Sequence, residues 1–386
     1  MRAELGGIEL PHPYATEVIR VRSRRPGRSL LVLFLLCGTA LVAQAGAAQA
    51  SIYWGNYGSQ GSGTTIGRAN TDGSGATQSF VSGAKGPVGV AASATYLYWS
   101  NTDNGDNTGT RIGRSKLDGS GANQAFISTA NGPHGIALSS TYIYWANRGR
   151  DGTGTTIGRA NIDGSGVNVN FITGAMGPWG VAIDGQYIYW TNRGTGGGSP
   201  CGGSIGRASL DGSNVNENFI TGADGPTGIT VDAGHVYWAN GCANTIGRAN
   251  LDGSAPNQSF ISGASEPSGL TTDGPYLYWG NFANPTAGGG GTTIGRANID
   301  GSGANEAFIT GASSPTNIAV TKGNVAPATC SAPHVVGKQV AAARAAIAHA
   351  HCSVGAVTKR KAAGRAGRVL SQKRSGAKIS LVVSKR

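Results

Sequence analysis

The chain has 386 residues, 65 of them glycine, with 13% charged residues and a formal net charge of +12. Glycine without the triplet period of collagen, mixed with Asn, Thr, Ser and regularly spaced aromatics, points to many turns and short strands rather than to disorder. The charge is divided: residues 51–320 carry 12 Lys+Arg against 16 Asp+Glu, whereas residues 321–386 carry 13 Lys+Arg and no acid, so a mildly acidic body precedes a strongly basic tail.

The first elements belong to targeting. Arg20, Arg22, Arg24, Arg25 and Arg28 precede an apolar run at residues 30–42, and Ala48-Gln49-Ala50 follows. That is the order of a secretory signal peptide, and the run is too short to span a bilayer comfortably. Residues 1–50 are therefore expected to be an N-terminal extension and signal, leaving a secreted or cell-wall-associated chain with no transmembrane segment. The "RRPGRS" stretch matches a twin-arginine route poorly. With Cys37 removed, Cys201, Cys242, Cys330 and Cys352 remain, and two disulfides are expected in an oxidising compartment.

From Ser51 one unit recurs. Tyr-Trp pairs stand at Tyr53/Trp54, Tyr98/Trp99, Tyr144/Trp145, Tyr189/Trp190, Tyr237/Trp238 and Tyr278/Trp279. Each is followed by Ile-Gly-Arg (arginines 68, 114, 159, 207, 248 and 296), by Asp-Gly-Ser (aspartates 72, 118, 163, 211, 252 and 300) and by a phenylalanine eight residues further on. Within one unit, "GVAID" and "YIYW" flank Asp184-Gly185, and "SIGRASL" and "VNENFITG" flank Asp211-Gly212. Four short strands every 45 residues or so predict a propeller blade.

The last copy, "PTNIAV" from Pro315, reaches no Tyr-Trp pair. The first copy opens directly on one, at "SIYW". The spacing thus predicts a mainly β fold, a six-bladed propeller over 51–320 closed by pairing of residues 316–320 with 51–54.

The order Tyr-Trp, Ile-x-Arg, Leu-Asp-Gly-Ser and Pro-x-Gly resembles the YWTD (low-density-lipoprotein receptor class B) repeats, a resemblance that covers residues 51–320 and implies a six-bladed β-propeller. One departure is uniform: the family's Asp two residues after the Trp is Asn at 56, 101, 147, 192, 240 and 281. An amide keeps hydrogen bonds but not a charge.

Residues 321–330 read as a linker. Beyond it, Val336, Val340, Ala343, Ile347 and Ala350 fall at helical spacing, and "SVGAVT", "RVLSQK" and "KISLVVS" read as three strands,. A small α+β domain over 331–386 is expected, with Cys330 and Cys352 bracketing the helix and paired. The stretch "APHVVGKQVAAARAAIAHAHCSVGAVT" with "GRVLSQ" and "ISLVVS" resembles a PASTA domain, which implies association with peptidoglycan or another anionic cell-wall polymer.

Six identical arginines and aspartates are expected to be blade scaffolding, because a catalytic site needs asymmetry. Asymmetry appears between Pro and Gly at the start of each innermost strand, at Val88, His134, Trp179, Thr227, Ser268 and, before Asn317, Thr316. These should ring one mouth of the central channel, beside the variable loops between second and third strands, and form a face for an unknown protein or glycan ligand. Trp179 and His134 stand out. The plainer reading has Trp179 capping the channel and His134 solvated in a loop. Cys201 and Cys242, in equivalent loops of adjacent blades, are expected to be bridged.

No catalytic residues, cofactor or metal site are assigned from spacing, and nucleic acid is not an expected partner after export. The expected function is an exported, non-enzymatic cell-envelope binding protein. A propeller enzyme of lactonase or lyase type and a purely structural surface protein are the alternatives.

Overall fold

The computed structural model describes residues 50–103, 108–194, 201–284, 289–321, 334–340, 342–343, 347, 353–361, 366–375 and 378–385. The fold follows from what each position of the repeat must do. In one blade the strands are Pro178–Ile183, Tyr187–Asn192, Ser204–Ser209 and Asn216–Thr221, antiparallel and hydrogen-bonded in that order. Six such four-stranded sheets are present.

Adjacent residues of a strand point to opposite faces of its sheet, so each Tyr-Trp pair serves two interfaces. Tyr144 packs with Trp190 of the following blade, while its neighbour Trp145 packs with Tyr98 of the preceding one. The same exchange joins Tyr189 to Trp238, Tyr237 to Trp279, Tyr278 to Trp54 and Tyr53 to Trp99. The six tryptophans of these pairs are fully buried. Each carries a large apolar surface into the core, and these side chains dominate the packing between blades.

The glycine of Ile-Gly-Arg lies directly opposite the Trp of the second strand, as Gly206 opposes Trp190. A Cβ there would run into the indole. The arginine beside it stacks on aromatic rings of its own blade: Arg159 Cζ lies 3.9 Å from the Phe171 ring centroid and 4.5 Å from that of Tyr142. The repeated Asp caps the turn between third and fourth strands. In Asp163, Oδ1 accepts from the Ser165 hydroxyl at 2.7 Å and its amide at 2.9 Å, and these bonds hold the carboxyl below its ordinary range,. Arginine and aspartate alike therefore build the blade.

Ring closure takes the predicted form. Ser51–Asn56 lies between Pro315–Thr321 and Thr65–Asn70 in one sheet, with Ile52 opposite Val320, Tyr53 opposite Ala319 and Trp54 opposite Ile318. The six innermost strands contact one another in sequence round the circle, and Pro315–Thr321 meets Pro87–Ala92 to complete it. They approach closely at the Pro-x-Gly glycine: a Cβ on Gly135 would meet Gly180 Cα at 2.8 Å. The channel they enclose has a cavity of about 240 Å³ lined by residues such as Val90, Ile136, Val181, Ile229, Leu270 and Ile318.

Residues beyond 334 form a separate three-stranded sheet in the order Ser353–Lys361, Lys378–Lys385, Val369–Ser375, parallel across the first pair and antiparallel across the second. Val340, Ala342, Ala343 and Ile347 are helical. The core is Val335, Ala343, Ile347, Val369, Ile379, Leu381 and Val383, with Val340 packed against it. The expected helical stripe is corrected at its start, since Val336 is exposed and Val335 is buried. Val336 lies in a turn, so the helical period does not yet apply to it. Ala350 and the expected Cys330–Cys352 bridge lie outside the described residues.

Candidate functional site

Antiparallel strands bring the loops after each second strand to the same end of the ring as the start of each innermost strand. The six asymmetric Pro-x-Gly residues all line cavities there: Val88, His134, Trp179 and Thr316 one of about 170 Å³, and Trp179, Thr227 and Ser268 one of about 410 Å³. Their side chains are less available than a ring of ligand contacts requires. Val88, His134, Thr227, Ser268 and Thr316 are at most 4% exposed, and only Trp179 is partly open.

Two of the hydroxyls have a structural task. Thr227 Oγ1 donates to Pro267 O at 2.7 Å, and Thr316 Oγ1 donates to Pro87 O at 2.9 Å. Each ties its innermost strand to the next blade. His134 is buried, in contrast to a solvated loop residue, with its ring 4.7 Å from that of Trp179 and edge-on to it. Its Nδ1 lies 3.2 Å from Gly132 O. Burial, reinforced by Arg148, holds its pKa well below the ordinary value, so the ring is neutral at pH 7.

Four residues not singled out in the sequence complete this mouth. They occupy the position after the repeated Asn, which reads Tyr57, Thr102, Arg148, Arg193, Gly241 and Phe282 round the ring. Tyr57, Arg148, Arg193 and Phe282 line the smaller cavity with His134 and Trp179. Both guanidinium carbons sit over the Trp179 indole, at 4.4 Å for Arg148 and 4.8 Å for Arg193. Tyr57 and Phe282, from adjacent blades, pair at 5.8 Å between ring centroids. The variation at this position was itself the signal: directly after an invariant Asn it runs through aromatic, polar, basic and glycine residues from blade to blade.

The electrostatics are unusual. Nε and Nη1 of Arg148 and Nε of Arg193 are buried and meet no hydrogen-bond acceptor among the described residues. Burial, then repulsion from Arg193, pushes the Arg148 pKa down to about 10, with Tyr57 opposing. Burial also lowers that of Arg193, against the attraction of Glu266. Both remain cationic near neutral pH. Such donors hold an anion better than they exchange a proton.

The larger cavity adjoins this one through Trp179, Arg193 and Phe282, and its far wall carries the Cys201–Cys242 disulfide. Those cysteines come from neighbouring blades, and their Cα atoms are 5.6 Å apart. Asp224 lies close enough to both sulfurs to suggest a metal site. Sulfurs joined in a disulfide are not thiolate donors, so this trio does not fit an ion. Parts of the variable loops, at residues 104–107, 195–200 and 285–288, lie outside the described residues.

No protein-family model and no curated protein matches the sequence. Solved structures do. A chain from the crystal structure of a nidogen/laminin complex is 20% identical, with a TM-score of 0.54, over 70% of this chain and 98% of that one. This likeness shows the fold, a β-propeller. Two others are a streptogramin B lyase, 19% identical with a TM-score of 0.41 over 57% of this chain and 69% of that one, and the virginiamycin B lyase of Staphylococcus aureus, 20% identical with a TM-score of 0.44 over 67% and 82%. Seen against the propeller fold, the six Trp-bearing strands are scaffold and the Arg148–Trp179–Arg193 cluster is where the symmetry is broken.

Proposed function

We propose that the protein is an exported, non-enzymatic binding protein whose propeller recognises a ligand at the mouth holding Trp179, and whose basic C-terminal domain keeps it near an anionic cell-wall polymer such as peptidoglycan. The observation that carries the first half is the pair of guanidinium groups over one indole, which hold three of the seven buried side-chain polar atoms left without a partner among the described residues and the only ones that belong to cations,. Against Trp179 lie two arginines, suited to holding an anion, and a histidine that is neutral at pH 7,.

The second half rests on charge and on the PASTA resemblance. Residues 321–386 carry 13 cations and no acid, and Lys359, Arg360, Lys361, Arg368, Lys373 and Lys385 are exposed there. Such a surface binds anionic polymers in a salt-sensitive way. Export is supported by the basic and apolar order of the first 50 residues and by the disulfide,. No helix among the described residues is long and apolar enough to cross a membrane.

Two comparisons test the two halves. Residues 51–386 are applied to glycan and peptide arrays beside the Trp179→Ala variant: selective binding lost in the variant is expected, and binding that survives unchanged contradicts the mouth as the site. Sedimentation with purified peptidoglycan sacculi is then compared with a chain ending at Val320. Only the longer protein is expected to sediment, and equal sedimentation contradicts the role given to the tail.

A further inference from the structure

We infer that the Arg148–Trp179–Arg193 cluster receives one carboxylate carried on a flat or apolar body, an inference that rests on the mouth being the recognition site. The geometry supplies the first argument. Two guanidinium groups converge on one indole with three buried N–H-bearing nitrogens unpartnered. A buried donor left without an acceptor is unfavourable, and a buried cation more so. A carboxylate satisfies the donor fork of a guanidinium with two oxygens in one plane.

Charge selects the class of anion. Arg148 and Arg193 bring two positive charges, and Glu266, exposed on the wall of the adjoining cavity, attracts Arg193 and offsets it only in part, without forming an ion pair. His134 contributes no charge. Two cations with a carboxylate already beside one of them suit a monoanion better than a phosphate dianion, whose second charge would meet Glu266.

The remaining walls select what the carboxylate is attached to. Tyr57 and Phe282 form a ring pair, Trp179 presents its indole, and Val88 closes the cavity. Together with the adjoining space of about 410 Å³, the site admits a ring-sized apolar body next to its charge. Aromatic walls with a few placed polar groups are the usual make-up of a small-ligand site.

Two sources carry this chemistry, a free aromatic acid and the C-terminus of a peptide ending in an aromatic residue. Calorimetric titration of residues 51–386 separates them, using benzoate for the first and N-acetyl-phenylalanine for the second, with benzamide and inorganic phosphate as controls. One of the two carboxylates is expected to bind at least tenfold more tightly than either control, and the tighter of the two names the source. Arg148→Met and Arg193→Met are each expected to weaken that binding at least tenfold while leaving Tm unchanged or raised, because each removes a partly buried cation with unpartnered nitrogens but keeps its packing,.

Equal affinity for benzoate and benzamide, tighter binding of phosphate, or no binding of either carboxylate overturns the inference. So does a lower Tm with unchanged affinity in the arginine variants, which would make these residues structural. The benzoate-to-benzamide ratio is read on the unaltered chain, so it decides even if a variant fails to fold. If array ligands need Trp179 but ignore both arginine substitutions, this inference fails and recognition at the mouth stands. If the Trp179→Ala protein keeps its array ligands, recognition at the mouth fails as well.

Discussion

The repeated asparagine shows how one residue can hold a blade together. Asn147 Oδ1 accepts from Trp145 Nε1 at 2.7 Å and from the Asn131 amide at 3.0 Å, while its Nδ2 donates to Val169 O at 2.7 Å and to Thr156 Oγ1 at 3.0 Å. The role needs an acceptor and a donor on one buried side chain, which an ionised carboxylate does not provide. Asn147→Asp is expected to cost about 2 kcal/mol at neutral pH, measured by urea unfolding. The cost should shrink on acidification, as the protonated acid regains a donor; a cost independent of pH would contradict this account. Asn in place of Asp was legible in the sequence as a lost charge, but the need for a donor was not, because Val169 O lies 22 residues away and its direction is a property of the folded blade.

Glu306 poses the converse problem. Trp279 Nε1 and Asn281 Nδ2 reach this part of the fourth strand, at Glu306 Oε2 and O respectively, yet Oε1 is buried without a partner. In three other blades the position is glutamine (Gln78, Gln124 and Gln258), and Gln124 Nε2 and Gln258 Nε2 donate to Ser82 O and Thr221 O of the preceding blade, each at 3.0 Å. Burial raises the Glu306 pKa above its ordinary 4.5, outweighing the two hydrogen bonds that lower it. A carboxyl raised on folding contributes stability below its unfolded pKa and loses it as pH rises through the folded value. Glu306→Gln is therefore expected to raise Tm at pH 7 and to match the parent near pH 4. An equal gain at both pH values would show that protonation is not involved.

At the level of elements, most of the architecture could be read from periodicity. Four strands per unit, the turn at each Asp-Gly and the bridged loops of neighbouring blades all leave local marks. What left no local mark was convergence. The residue after Asn147 and that after Asn192 come from different blades, and only the closed ring puts both over Trp179. The same limit affected the residues that follow the proline of each innermost strand: their variability was visible, but the burial of all but Trp179 was not. The Cys201–Cys242 bridge spans 41 residues, for which loop entropy sets a ceiling of about 4 kcal/mol. The Cys201→Ser/Cys242→Ser pair of substitutions is expected to lower stability toward that ceiling and to weaken ligand binding at the adjoining cavity. Unchanged urea midpoint and affinity would show that the blades fix this wall unaided.

The propeller is a near-symmetric ring with one asymmetric end. Its stability is spread over six equivalent Tyr-Trp interfaces, including Tyr278–Trp54 between the last repeat and the first. That redundancy leaves the loops at the mouth free to vary without loss of fold. The opposite end repeats Asp-Gly-Ser turns whose side chains bond within themselves. Recognition should therefore be confined to one end. Hydrogen–deuterium exchange of residues 51–386, with and without the best array ligand, tests this most directly. Slowed exchange is predicted in segments 57–63, 148–154, 177–180, 241–244 and 266–268, with no change at the Asp-Gly-Ser turns. Protection centred on those turns, or confined to residues 353–385, would contradict the central claim that the arginine-bearing mouth is where this propeller binds.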